Sequence, residues 1–181
     1  MELAEARALA RERTEKETTY RHLVSVEGVM RALAGRLGED RELWALTGLF
    51  HDLDQDQTGE DADRHAHLAA EWLREAGVDE RVINGVLGHA HEEYRTDLMS
   101  RATVHADAVA GLLVASALVR PEKATGMKVS SARKKLKEKA FAPGVNRDEI
   151  TQAEESLGLP LEEFFAVSIE GLQQVAPEIG L

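Results

Sequence analysis

A chain of 181 residues is long enough to bury a sizeable core without covalent staples, and one domain is the expected count. It has no cysteine, which excludes disulfide frameworks, thiolate nucleophiles and cysteine-ligated zinc, so any metal must be held by nitrogen and oxygen. A formal net charge of −11 argues against a general duplex-binding protein, whose affinity rests on Lys and Arg contacts to phosphates.

Apolar residues recur at helical spacing and runs of alternating β-branched residues are missing, which predicts an all-α bundle of about eight or nine helices. The first helix is expected over about Leu3 to Lys16. The opening MELAEARALARERTEKE lacks the apolar core and cleavage site of a signal peptide, and no later stretch reads as a membrane span, so a cytoplasmic protein is expected. A second helix runs from about Thr19 to Leu37, with Leu23, Val26, Val29, Met30 and Leu33 on its inner stripe and Gly38 ending it. Asp40 caps a third, whose Leu43, Leu46, Leu49 and Phe50 lead into His51-Asp52-Leu53-Asp54. An acidic loop, Gln55 to Asp63, precedes a fourth helix over about Asp63 to Ala76, closed by Gly77. The fifth begins near Asp79, turns Val82, Ile83, Val86 and Leu87 inward and ends around His89 to Glu93. The sixth, about Leu98 to Val119, is the least polar part of the chain and stops at Pro121.

Beyond Pro121 the spacing predicts a basic helix near Ser130 to Lys139 and two more at Arg147 to Leu157 and Leu161 to Val175. Residues 1–121 then form the core and 122–181 a helical C-terminal extension packed on it, with one domain overall. Arg120 to Lys139 carries eight basic residues against two acids, and everything after Arg147 has eight acids and no base.

Asp107 sits among small apolar neighbours, from Val104 to Val114, where a carboxylate needs a partner because burying an unpaired charge costs several kcal/mol or more. The plainer alternative is an exposed Asp on the polar edge of the helix. His51 and Asp52 form an adjacent imidazole and carboxylate at the end of an apolar helix, and both reach one cation if the backbone turns there. His22 lies near the apolar stripe of the second helix, where a histidine also suits a hydrogen-bonded core position. Together these four residues suit a divalent Zn, Mn, Fe, Co or Ni ion. Two further pairs, His65 with His67 and His89 with His91, have i, i+2 spacing, so one of each pair should face such a site, and a second ion bridged by Asp52 is the functional reading. Solvated helix-end histidines are the plain one.

The order His22, His51-Asp52, Asp107 on a helical core, over about residues 18 to 121, resembles the HD superfamily of metal-dependent phosphohydrolases. The segments Glu27 to Leu33, Gly48 to Asp54 and Lys128 to Arg147 are similar to a small bacterial branch of predicted HD hydrolases, extending the likeness over nearly the whole chain. The resemblance implies one ion held by His22, His51, Asp52 and Asp107, and a second held by His65 and His89 with Asp52 shared. The extra histidine in Gly88-His89-Ala90-His91 leaves open whether His89 or His91 is the ligand. It further implies a metal-activated water attacking a phosphoryl group, with Asp52 and Asp54 as catalytic carboxylates, Asp54 orienting a ligand or water unless it is simply solvated. Lys128 and Arg147, flanking the basic helix, are the expected phosphate contacts. The expected substrate is a nucleotide or another small phosphorylated metabolite, with no membrane or polymeric nucleic acid as partner. A di-iron oxygenase and a non-catalytic ligand-binding module are the competing classes.

Overall fold

The computed structural model describes residues 1–59 and 61–181; position 60, in the acidic loop, lies outside the described residues. Ten α-helices and no strand occur among the described residues: α1 Leu3–Arg13, α2 Glu17–Leu37, α3 Arg41–Phe50, α4 Gln55–Thr58, α5 His67–Glu75, α6 Glu80–Ala90, α7 Leu98–Leu118, α8 Val129–Lys137, α9 Arg147–Leu157 and α10 Leu161–Val175. Single 3₁₀ turns cover Glu92–Tyr94 and Ala176–Ile179.

Local chemistry sets most of these boundaries. Gly38 adopts the left-handed conformation, φ 77°, that ends α2. The Asp40 carboxylate accepts the N–H groups of Glu42 and Leu43 at 3.0 and 3.2 Å to start α3. The α5 start departs from expectation by four residues. Residues 61–65 are tied into turns onto Asp61, and Ala66 has φ 64°, a conformation no helix propagates through. The acidic loop also holds the short α4, which no apolar period foretells.

The long α2 runs between α3 and α10, and α7 packs on α2, α6 and α9. Two glycines let α2 meet its neighbours backbone to backbone. A Cβ on Gly48 would lie 2.7 Å from the Val26 carbonyl oxygen, and one on Gly28 would lie 2.5 Å from that of Gly171 in α10. The core between these helices is filled by Leu23, Met30, Leu33, Phe50, Leu112 and Phe164, all fully buried. By length and composition α7 is apolar enough to cross a membrane, contrary to the expectation that no stretch would be, but 67% of its most apolar window is buried inside the protein.

Candidate metal centre

The α2–α3 contact at Gly48 brings the first histidines together. Val26 lies one turn after His22 and Gly48 one turn before His51, so the touching backbones place both imidazoles side by side, Nε2 to Nε2 at 3.2 Å. His51 is fully buried, and its Nδ1–H donates to the Gly48 carbonyl at 2.8 Å. Asp107, projecting from α7, closes the group with Oδ1 2.9 Å from His22 Nε2 and 3.7 Å from His51 Nε2.

A second group adjoins it. His65 Nε2 and His89 Nε2 are 3.1 Å apart, and Asp52 Oδ1 is 3.3 Å from the former and 3.0 Å from the latter. The other oxygen of Asp52 faces the first group, 3.5 Å from His51 Nε2 and 3.8 Å from His22 Nε2. Six side chains from α2, α7, the end of α6 and the turns after α3 and before α5 thus form two triads, His22-His51-Asp107 and Asp52-His65-His89, with one carboxylate between them.

The outward ring nitrogens are committed. The His89 Nδ1–H donates to the Val86 carbonyl at 2.6 Å, and that of His65 to Asp54 Oδ1 at 2.9 Å. Asp54 is fully buried, not a solvated loop carboxylate, and its other oxygen accepts the Ala69 N–H at 3.0 Å. Carbonyl and carboxylate oxygens only accept, so Nδ1 carries the proton in all three rings and each Nε2 turns a lone pair toward its triad. Lone pairs and carboxylates at such separations repel unless a cation lies among them, either protons or a metal.

Titration behaviour carries the same signature. Burial depresses the His65 pKa, but hydrogen bonds to Asp52 and Asp54 and their charges outweigh it and bring it to about 10. At His22 burial is again outweighed, by Asp107 and Asp52, with a net rise. Burial raises the carboxyls of Asp52 and Asp107, yet the facing histidines hold both well below the usual carboxylate range. Two imidazole-carboxylate triads without thiolate fit a divalent transition ion or an ion pair, so the residues present suit the group.

Beside the second triad opens a cavity of about 480 Å³, lined by Asp52, His65, His89 and Asp107 with Gln55, Ala62, Ala90 and His91. Of the i, i+2 pairs, His65 and His89 enter the cluster. His91 turns away, its Nε2 2.9 Å from the His65 carbonyl, and its ring packs 4.4 Å from that of His67. The two residues expected to contact phosphate do not line this cavity. Arg147 spends its guanidinium on the carbonyls of Leu136, Glu138, Phe141, Ala142 and Val145, clamping the loop after α8, and Lys128 is exposed at the start of that helix. A lone basic residue after Asn carries no sequence signal for a carbonyl clamp. Sequence reasoning also missed Asp56, whose carboxylate accepts the N–H groups of Glu15 and Lys16 and the Thr19 hydroxyl, each at 2.8 Å, tying the α1–α2 turn to the loop that follows Asp52.

The HD domain family matches residues 19–139, a span that contains all six clustered side chains. Ribonuclease Y 2 of Levilactobacillus brevis is 30% identical over 90 residues, 50% of this chain and 17% of that protein. Ribonuclease Y of Opitutus terrae is 31% identical over 76 residues, 42% of this chain and 14% of that protein. The chain therefore spans less than a fifth of the length of these curated relatives. No solved structure matches it. With the pattern running through most of its length and through the whole histidine-aspartate cluster, the chain belongs to the HD domain family.

Proposed function

We propose that this protein is a metal-dependent phosphohydrolase acting on a small phosphorylated metabolite, with nucleotides the leading class. The observation that carries the reading is the pair of acceptor triads sharing Asp52 beside an open cavity. His22, His51, Asp52 and Asp107 hold one ion, and His65, His89 and Asp52 hold the second. When bound, such ions bind a phosphoryl oxygen and lower the pKa of an attacking water toward neutrality. The chain's own groups set that chemistry up. Gly48 and Val86 carbonyls fix the ring orientation of His51 and His89, and buried Asp54 fixes that of His65, so the Nε2 of each of these three rings faces the cluster.

The matched relatives are ribonucleases by name, which makes RNA the second reading. The net charge of −11 and a cavity of about 480 Å³ favour a small ester over a polymer. Purified protein incubated with manganese or cobalt should release phosphate from small esters, and elemental analysis should find up to two ions per chain. Cleavage of RNA with no release from small esters would move the assignment to the ribonuclease reading. Iron with oxygen-dependent absorbance changes and no phosphate release would move it to oxidation.

A further inference from the structure

Helix α6 delivers His89 from its last turn, where a helix is least able to hold a side chain by itself. The final four carbonyls of an α-helix have no partner within it, and the negative end of the helix dipole falls there. In α6 these carbonyls belong to Leu87, Gly88, His89 and Ala90. The first accepts the His91 N–H at 2.9 Å. The Arg95 guanidinium takes the next two, its Nε 2.8 Å from the Gly88 oxygen and its Nη2 3.2 Å from that of His89. The basic residue of the turn is His89 itself, and a ring whose Nε2 lone pair serves a metal cannot also carry the compensating charge. Arg95 supplies that charge from beyond the helix.

The connector to α7 is folded to bring Arg95 back over this end. The 3₁₀ turn Glu92–Tyr94 follows α6 directly, and the Asn84 amide donates to the Tyr94 carbonyl at 3.1 Å and to the Thr96 hydroxyl at 3.3 Å. Gly88 leaves the room: a Cβ there would lie 3.1 Å from the Tyr94 carbonyl oxygen and 2.8 Å from the Ser100 Cβ. Arg95 also borders a cavity of about 490 Å³ between α7 and α9, so packing does not enclose it and the carbonyl bonds decide where the guanidinium lies. His89 is thus tethered twice, by its ring to Val86 and by its main chain to Arg95. Its Nε2 then meets Asp52 Oδ1 at 3.0 Å and His65 Nε2 at 3.1 Å. Helix α6 gives no residue to the other triad, His22-His51-Asp107.

We propose that Arg95 is a positioning residue for the second metal position: its fork across the Gly88 and His89 carbonyls holds the last turn of α6 in the geometry that aims His89 at Asp52 and His65. The inference rests on the two-ion reading of the cluster above. A planar guanidinium bridges two acceptors at once, whereas a lysine ammonium is a flexible point charge. The sign of the effect separates positioning from electrostatics. The positive charge of Arg95 repels a nearby cation, so a purely electrostatic role implies tighter metal binding once it is removed, and a positioning role implies weaker binding.

The full-length protein is prepared metal-free as wild type, Arg95→Ala and Arg95→Lys and titrated with cobalt, followed by calorimetry and visible absorption. A His89→Ala variant identifies the absorption of the second ion. Wild type should take up two ions. In Arg95→Ala the ion at His22, His51 and Asp107 should bind within about threefold of wild type and the second at least about tenfold more weakly, with a matching loss of its absorption. Arg95→Lys should recover only part of that loss. Equal weakening of both ions, an unchanged or tighter second ion, or full recovery in Arg95→Lys would overturn the proposal. If wild type takes up one ion or none, the two-ion reading fails on its own, and histidine ring NMR of the metal-free proteins decides the role of Arg95. A His89 signal displaced or broadened in Arg95→Ala while His22 stays unmoved supports it; an unmoved His89 signal, or an equal change at His22, refutes it.

Discussion

Asp54 shows how much of a metal site lies one step behind the ligands. Its carboxylate is fully buried, takes the His65 ring proton and is pinned by the Ala69 N–H. Replacing it with Ala removes the acceptor that fixes the His65 tautomer, and metal affinity should fall about 10- to 100-fold. Titration calorimetry with manganese measures the drop, and an unchanged affinity would show that His65 needs no such anchor. Proton linkage gives a second test. With its pKa raised to about 10, protonated His65 stabilises the metal-free protein fully below about pH 6.5, and that contribution fades as pH climbs toward about 10. A metal must displace that proton, so affinity should rise with pH between these limits, by up to about tenfold per unit. Calorimetry in buffers of different ionisation enthalpy should register proton release near neutrality. At this scale the sequence revealed residue types but not depth: Asp54 reads as an ordinary loop carboxylate, and only the turn before α5 brings His65 and Ala69 onto it.

At the scale of elements, the α2–α3 contact decides whether the cluster exists. Gly48→Ala would force a methyl to within 2.7 Å of the Val26 carbonyl, a backbone atom that cannot swing aside. The two helices must separate, at a cost of about 1–3 kcal/mol, and His22 and His51 separate with them. Urea denaturation should show the loss, and metal affinity should fall even where the variant stays folded. Boundaries that rest on local chemistry were legible in advance: Asp40 and Gly38 around α3 and α2, and the span of α9, match the expected positions. The start of α5 was not, because Ala66 is a good helix former held at φ 64° by the turns that precede it. Nor does periodicity reveal which residue of an i, i+2 histidine pair enters the site. That choice depends on where α6 ends, which turns His89 inward and leaves His91 against His67.

Taken whole, the chain wraps its C-terminal third around the elements that hold the histidines. Helix α10 lies against α2 with Gly28 and Gly171 backbone to backbone, and α9 covers one side of α7. A chain cut after residue 121 would remove the fully buried Ile150, Phe164, Phe165 and Leu172 from the core, each worth about 1.5–3 kcal/mol of burial. The fragment should not fold on its own, and the full chain should unfold in one cooperative transition; circular dichroism during thermal melting checks both. Two separate transitions would instead make the extension an independent domain. The order of helices was readable from apolar spacing, whereas the cavity between α7 and α9 was not. Its two walls are about 45 residues apart in the chain, and nothing local to either announces the other. The start of the chain plays an equal part. Asp56 draws two of its three donors from Glu15 and Lys16, just ahead of the point where the family likeness begins, and its side chain is only 1% exposed. Anyone trimming an expression clone to the borders of that likeness would strand a buried anion next to the metal ligands, and so could mistake an injury of their own making for an inactive protein.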